Sequence, residues 1–124
     1  MKVGMDGLAA AVEEALETYG REVAEGTRRV VQATAEQCRR EIREKSPRRT
    51  QKYAKGWRIQ ETVQGSGLVK ETVYNAAAPQ LTHLLENGHA KVNGGRVEGK
   101  AHIRPPAQRA ESSLVSGLEE VVRR

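Results

Sequence analysis

Residues 79–106, PQLTHLLENGHAKVNGGRVEGKAHIRPP, hold the grammar from which the rest of the fold is read. Pro79 suits the first helical position, where its missing N–H costs nothing. Gly88, after Leu84, Leu85, Glu86 and Asn87, suits a helix C-terminus that needs a positive φ. These two signals bracket a helix of about two turns over 80–86. Asn93, Gly94 and Gly95 then supply the residues of a tight reversal, and Pro105 and Pro106 reopen the chain into a last helix. Short strands are expected at 91–92 or 96–97 and at 101–103. Glu86 falls near Lys100 and Arg104, which predicts a charge-assisted contact tying the short helix to the last strand. Nothing in this grammar requires catalysis.

Working outward, residues 1–45 read as a long helix, with Leu8, Val12, Leu16, Tyr19, Val23 and Val30 recurring at three- and four-residue steps from about Asp6. Gly20 and Gly26 weaken its middle, and the seam shifts afterwards to Val31, Ala35, Cys38 and Ile42, so a break is expected near Gly26. Ser46-Pro47 stops the helix. A basic loop over 46–56 follows, then a β-hairpin over 57–74 made of WRIQETV and LVKETVY around the turn at 64–67. Trp57, Ile59, Val63, Val69 and Val73 would share one face, interrupted by Glu61 and Glu71. After the motif unit, 79–105, a C-terminal helix over 106–124 presents Leu114, Leu118, Val121 and Val122. The fold class is therefore α+β, a single domain over 1–124: a long N-terminal helix, a small mainly antiparallel sheet with a β-hairpin, a short helix between strands, and a C-terminal helix.

The core available to such a chain is thin. It has 124 residues, 3% aromatic content and no Phe, so a solitary globule would be marginal. The net charge of +5 is unevenly placed. Residues 1–25 hold six acids against two bases, whereas residues 39–58 hold nine bases against two acids. A basic segment can hold phosphate backbone by counterion release, or opposite charges on separate regions can join neighbouring subunits. The candidate DNA or partner contacts are Arg39, Arg40, Arg43, Arg48, Arg49, Lys52 and Lys55. Tyr53 and Trp57 are the only aromatics interleaved for base stacking. Candidate surface for subunit or partner contact is Leu16, Tyr19, Val23, Val30 and Ile42. A single cysteine, Cys38, leaves no internal disulfide, and no apolar run is long enough for a membrane span, which points to a cytoplasmic assembly route without a membrane.

His83, His89 and His102 are the candidates for metal or acid-base chemistry, and their spacing fits no zinc pattern. A metal-dependent nuclease using His89 and His102 is the enzyme alternative; structural use, with His89 and His102 hydrogen-bonding loop carbonyls, is preferred. Gly94-Gly95 lacks the following Lys-Ser/Thr of a phosphate cradle and reads as a turn. No catalytic residue, metal ligand or cofactor is assigned.

Leu84, Leu85, Glu86, Gly88, His89, Gly94, Gly95, His102, Arg104 and Pro105 together form an LLE-x-G-H block, a GG pair and an H-x-R-P block. In that order they resemble the head-to-tail joining, or tail completion, proteins of tailed bacteriophages. A second similarity lies at 46–57, SPRRTQKYAKGW, where the family tends to carry Thr-Gly and this chain has Gln51 at the glycine position. The resemblance implies a non-enzymatic virion protein at the neck, forming a ring of six subunits, monomeric in isolation, that connects the DNA-filled head to the tail. Its implied partners are head-closure or adaptor proteins, the tail terminator or tail-tube proteins, and the DNA passing through the channel. A tail terminator or head-closure adaptor of the same neck, and a free basic nucleic-acid-binding protein, are the other readings.

Overall fold

The computed structural model describes residues 5–48, 51–63 and 69–123; Arg49, the turn expected at 64–67, Leu68 and the outermost ends of the first and last segments lie outside the described residues. The element order is α1 (Met5–Lys45), α2 (Lys52–Lys55), β1 (Trp57–Val63), β2 (Val69–Asn75), α3 (Thr82–Asn87), β3 (Gly88–Ala90), β4 (Arg96–Glu98) and α4 (Arg104–Arg123). The α+β class is as expected. The sheet is instead two separate antiparallel hairpins, β1 with β2 and β3 with β4.

α1 is unbroken across its 41 residues, so the interruption expected at Gly26 does not occur. The glycine serves close approach instead. A Cβ at Gly26 would lie 2.8 Å from Val121 Cγ1, and one at Gly117 would lie 2.6 Å from Val30 Cγ1. α1 and α4 thus cross antiparallel with each helix's glycine receiving the other's valine. The helical cost of glycine, about 1 kcal/mol each, is offset by this interlocking. Gly117→Ala is expected to lose about 1–3 kcal/mol in urea unfolding, and a companion Val30→Ala should recover part of the loss by making room.

The hairpin register pairs Trp57 with Asn75, Ile59 with Val73, Glu61 with Glu71 and Val63 with Val69. Period-two alternation therefore puts the expected apolar residues on one face, which packs toward α1 except at the far end, where Val63 is 58% exposed. The two glutamates sit directly opposite each other there. Arg28 Nη2 and Gln32 Nε2 of α1 donate to the Glu61 carboxylate at 3.0 and 3.3 Å. Burial, then the neighbouring Glu61 charge, pushes the Glu71 carboxyl up from its usual range.

The core lies where the C-terminal end of α1 meets α2, β1 and the motif unit. Ile42, Tyr53, Trp57 and Ala78 are buried there, with Cys38, Val73, Leu85 and Ile103 packed against them. Burial, then the charge of Glu41, pushes the Cys38 thiol up, consistent with a packed side chain. Large apolar side chains left exposed, among them Leu8, Val12, Leu16, Val115 and Val122, outnumber those buried. The thin core read from composition is thus visible in the fold.

Several boundaries moved for local reasons. Within the basic loop, α2 is started by Gln51, whose φ of 66° is left-handed and whose carbonyl accepts the Lys55 N–H at 3.0 Å. This is the position at which the family resemblance led one to expect glycine. A left-handed conformation costs a side-chain-bearing residue about 1–2 kcal/mol, so Gln51→Gly is expected to stabilise the protein by up to about 1 kcal/mol once glycine's larger unfolded-state entropy is subtracted. Equilibrium unfolding of the variant checks this, and a loss of stability would contradict it. α4 begins at Arg104 rather than Pro106, and 101–103 is no strand, because a carboxylate captures that segment's N–H groups as described next.

Candidate functional site

The motif residues converge on a buried polar hub. Glu86, on the last turn of α3, turns its carboxylate toward the chain entering α4. Oε1 accepts the backbone N–H of His102 at 2.7 Å and of Ile103 at 2.9 Å, and Oε2 accepts that of Arg104 at 2.9 Å. Pro105 and Pro106 follow with no N–H to satisfy, and the Ala107 N–H already reaches the Ile103 carbonyl at 2.9 Å. The unpaired donors at the start of α4 are therefore fully accounted for by one carboxylate and two prolines. Burial alone would push the Glu86 carboxyl up, but the backbone donors of His102, Arg104 and Ile103 together hold it below the usual range. The sequence had assigned Glu86 to Lys100 and Arg104 side chains. Its partners are main-chain donors instead, and their geometry ends the expected strand at 101–103.

Gly88 links α3 directly to β3. Its φ of 81° and ψ of 176° belong to a region essentially restricted to glycine, and a Cβ there would sit 2.4 Å from the Val97 carbonyl oxygen. β3 then pairs with β4 around the Gly94-Gly95 reversal, with His89 opposite Val97. Of the two strand positions expected, 96–97 is realised in β4, whereas its partner β3 lies just before 91–92, because Gly88 sends the chain straight from helix to ladder. The Lys100 N–H returns to the Leu85 carbonyl at 2.8 Å, closing the unit.

His102 is fully buried. Its Nδ1 donates to the Lys100 carbonyl at 2.8 Å and lies 3.1 Å from Glu86 Oε1. A carbonyl can only accept, so Nδ1 carries a proton, and Nε2 is engaged by the Tyr53 hydroxyl at 2.6 Å. Burial, followed by the nearby Glu86 charge, pushes the Tyr53 hydroxyl up to about 12, which keeps it protonated. The rings of Tyr53, Trp57 and His102 meet edge to face, with centroids 5.4–6.1 Å apart. Trp57 Nε1 donates to Ser46 Oγ at 2.7 Å, and Ser46 in turn donates to the Ile42 carbonyl at 2.6 Å. Asn75 completes the hub: Nδ2 donates to the Tyr53 carbonyl, and Oδ1 accepts from the Ala77 and Ala78 N–H groups.

This hub joins the end of α1, the basic loop, the hairpin and α3 in one hydrogen-bonded unit. It leaves His102 no free lone pair to offer a metal. The hydrogen bond expected from His89 to a loop carbonyl is not made through Nδ1, which is buried with no partner among the described residues. His83 Nδ1 meets Asn87 Nδ2 at 3.1 Å. No group of three or more His, Cys, Asp or Glu placed to hold a metal occurs among the described residues. Leu84 stays exposed while Leu85 packs inward. Sequence reasoning missed Ser46, Tyr53 and Asn75. A serine just before the helix-stopping proline was the one available signal.

The surfaces divide differently from the sequence seam. Ile42 is 2% exposed and belongs to the subunit's own core, and Val30 is taken up by Gly117, so neither is free for a neighbour. Leu16 and Tyr19 remain exposed, and Val23 and Tyr19 line a cleft of about 210 Å³ with Glu22, Gly26, Arg29 and Val121. At the basic end, Arg39 is engaged by Glu36 through Nε at 3.1 Å, Arg40 stands 3.9 Å from the same carboxylate, and Arg48 reaches the Glu44 carbonyl at 3.3 Å. The Arg39 hydrogen bond holds the Glu36 carboxyl below its usual range. Arg43, Lys52 and Lys55 make no ion pair among the described residues. Tyr53 and Trp57 are both buried with their polar atoms bonded, so neither presents a face for base stacking. No helix of the described residues is long and apolar enough to cross a membrane.

A model of the family described as "Bacteriophage HK97-gp10, putative tail-component" matches residues 10–88, more than half of the chain. The match spans α1, the basic loop, the β1–β2 hairpin and α3 up to the glycine of the motif unit. No curated protein and no solved structure matches the chain.

Proposed function

The chain belongs to the HK97-gp10-like family of bacteriophage tail components, and from that premise we propose that it is a non-enzymatic structural protein of the virion neck, assembling as a six-membered ring that joins the DNA-filled head to the tail. The observation that carries the ring-forming part is the stretch 7–17 of α1, every residue of which is exposed although it presents Leu8, Val12 and Leu16 on one stripe. An amphipathic helix segment of this length is marginal in water without a partner. The motif unit has a different task. Its hydrogen bonds fix the subunit core, which supports a structural reading of the motif.

Support for a head-tail position comes from the ordered resemblance of 79–106 to head-to-tail joining proteins. In the ring, subunits would contact one another, a head-closure or adaptor protein on one side and a tail terminator or tail tube on the other. The basic face lies near partner rings or the DNA conduit. Deleting the coding sequence from the phage tests the role: filled heads and free, separately assembled tails should accumulate, and the protein supplied in trans should join them. Tails of uncontrolled length would select the terminator reading, and heads that leak DNA the closure-adaptor reading. Normal, joined virions without this protein would refute the proposal.

A further inference from the structure

We propose that the acidic, apolar-striped arm at the start of α1 docks on the basic face of a second copy of this chain, so that subunits join head to tail; this rests on the ring-forming reading above. Among the described residues the arm has no partner of its own. α4 reaches only as far as Tyr19, whose hydroxyl donates to the Val122 carbonyl at 3.3 Å, and residues 7–17 beyond it are all exposed. Leu8, Val12 and Leu16 are 55%, 51% and 65% exposed. At 100° per residue they form one stripe, with Glu13 and Glu17 along one side and Glu22 along the other.

The complementary surface stands at the other end of the same helix. Arg43, Lys52 and Lys55 project there without an ion pair among the described residues. One helical turn before Arg43, Arg39 borders a shallow depression of about 300 Å³ that Glu36, Trp57, Arg58 and Ile59 also line, with half-buried Ile59 next to positive charge. One subunit cannot bring its own two surfaces together: from Glu17 to Lys45 a continuous helix spans about 42 Å. Two copies can. A contact that uses different patches on the two partners is heterologous, and it closes into a ring when its rotation divides a full turn. The six-to-two acidic excess of residues 1–25 and the nine-to-two basic excess of residues 39–58 fit this pairing and would repel arm from arm and face from face.

The test is zero-length carbodiimide cross-linking of purified virions, followed by mass spectrometry of the linked peptides. Expected are amides joining Glu13, Glu14 or Glu17 to Lys52 or Lys55, which the 42 Å helix forbids within one subunit. Arm carboxylates linked only to another polypeptide, with this chain present in the virions, would overturn the head-to-tail contact and leave the neck role standing. Absence of the chain from virions would sink the neck role itself and this contact with it. Charge reversal gives a second arm. Glu13→Lys with Glu17→Lys should lower incorporation into virions by about tenfold or more, and adding Arg43→Glu with Lys52→Glu on the same chain should restore it. Undiminished incorporation of the arm variant, or no restoration, would overturn the contact. These residues are exposed, so circular dichroism should be unchanged in every variant.

Discussion

Glu86→Ala is expected to cost about 3–5 kcal/mol of folding stability, because three hydrogen bonds to a charged group, each worth about 1.5–3 kcal/mol in isolation but not additive, disappear together. The N–H groups of Ile103 and Arg104 at the start of α4 are left without acceptors, as is that of buried His102. The prolines that follow offer no alternative register. The Glu86 side chain is only 9% exposed, so water replaces the carboxylate poorly. Glu86→Gln keeps the shape and one acceptor oxygen and should lose about half as much. The pH dependence follows from the depressed carboxyl. A group whose folded pKa lies below its unfolded value contributes stability that is complete above the unfolded value, about 4.5, and is lost as pH falls through the folded one. The parent should therefore weaken below about pH 4.5, and the alanine variant should lack that part of the acid sensitivity. Urea unfolding at pH 7 and pH 3.5 decides it. A variant within about 0.5 kcal/mol of the parent at pH 7 would show that the cap is dispensable.

Trp57→Ala should cost a similar amount, about 3–5 kcal/mol, for a different reason. The indole is 3% exposed and stands between Tyr53, His102 and Ile42, where the core has few other large side chains to close a cavity. Its removal also strips Ser46 Oγ of a donor at the point where α1 stops. Trp57→Phe separates the two contributions: most of the packing stays and the N–H is lost, so about 1 kcal/mol is expected. Equal losses for both variants would assign the role to the hydrogen bond rather than to the ring.

How far the chain could be read in advance depended on the kind of interaction. Period-three-to-four and period-two patterns located α1, α4 and the β1–β2 face, Gly88 marked the end of α3, and Pro79 opened a 3-10 turn at Pro79–Leu81 that leads into it, because capping and alternation are local properties. The Gly26 position misled for the same reason. Its helix-weakening tendency is local, but its use, admitting Val121, is tertiary. Glu86 was recognised as a tie between segments, while its partners were taken to be side chains; backbone donors carry no signature in sequence except the two prolines that follow them. His102 was legible as structural but not as a link to Tyr53, since the contact spans 49 positions. The apolar seam of α1 was half legible: exposure separated Leu16 and Tyr19 from Val30 and Ile42 only once α4 and the core were placed.

Image reconstruction of the intact virion by electron cryomicroscopy tests the central claim most directly. The account predicts a ring of six copies at the head-tail junction, each a long helix lying against a small hairpin, with the first turns of every helix resting on the next subunit. Density for this fold anywhere else in the particle, or a neck fully explained by other polypeptides, would contradict it.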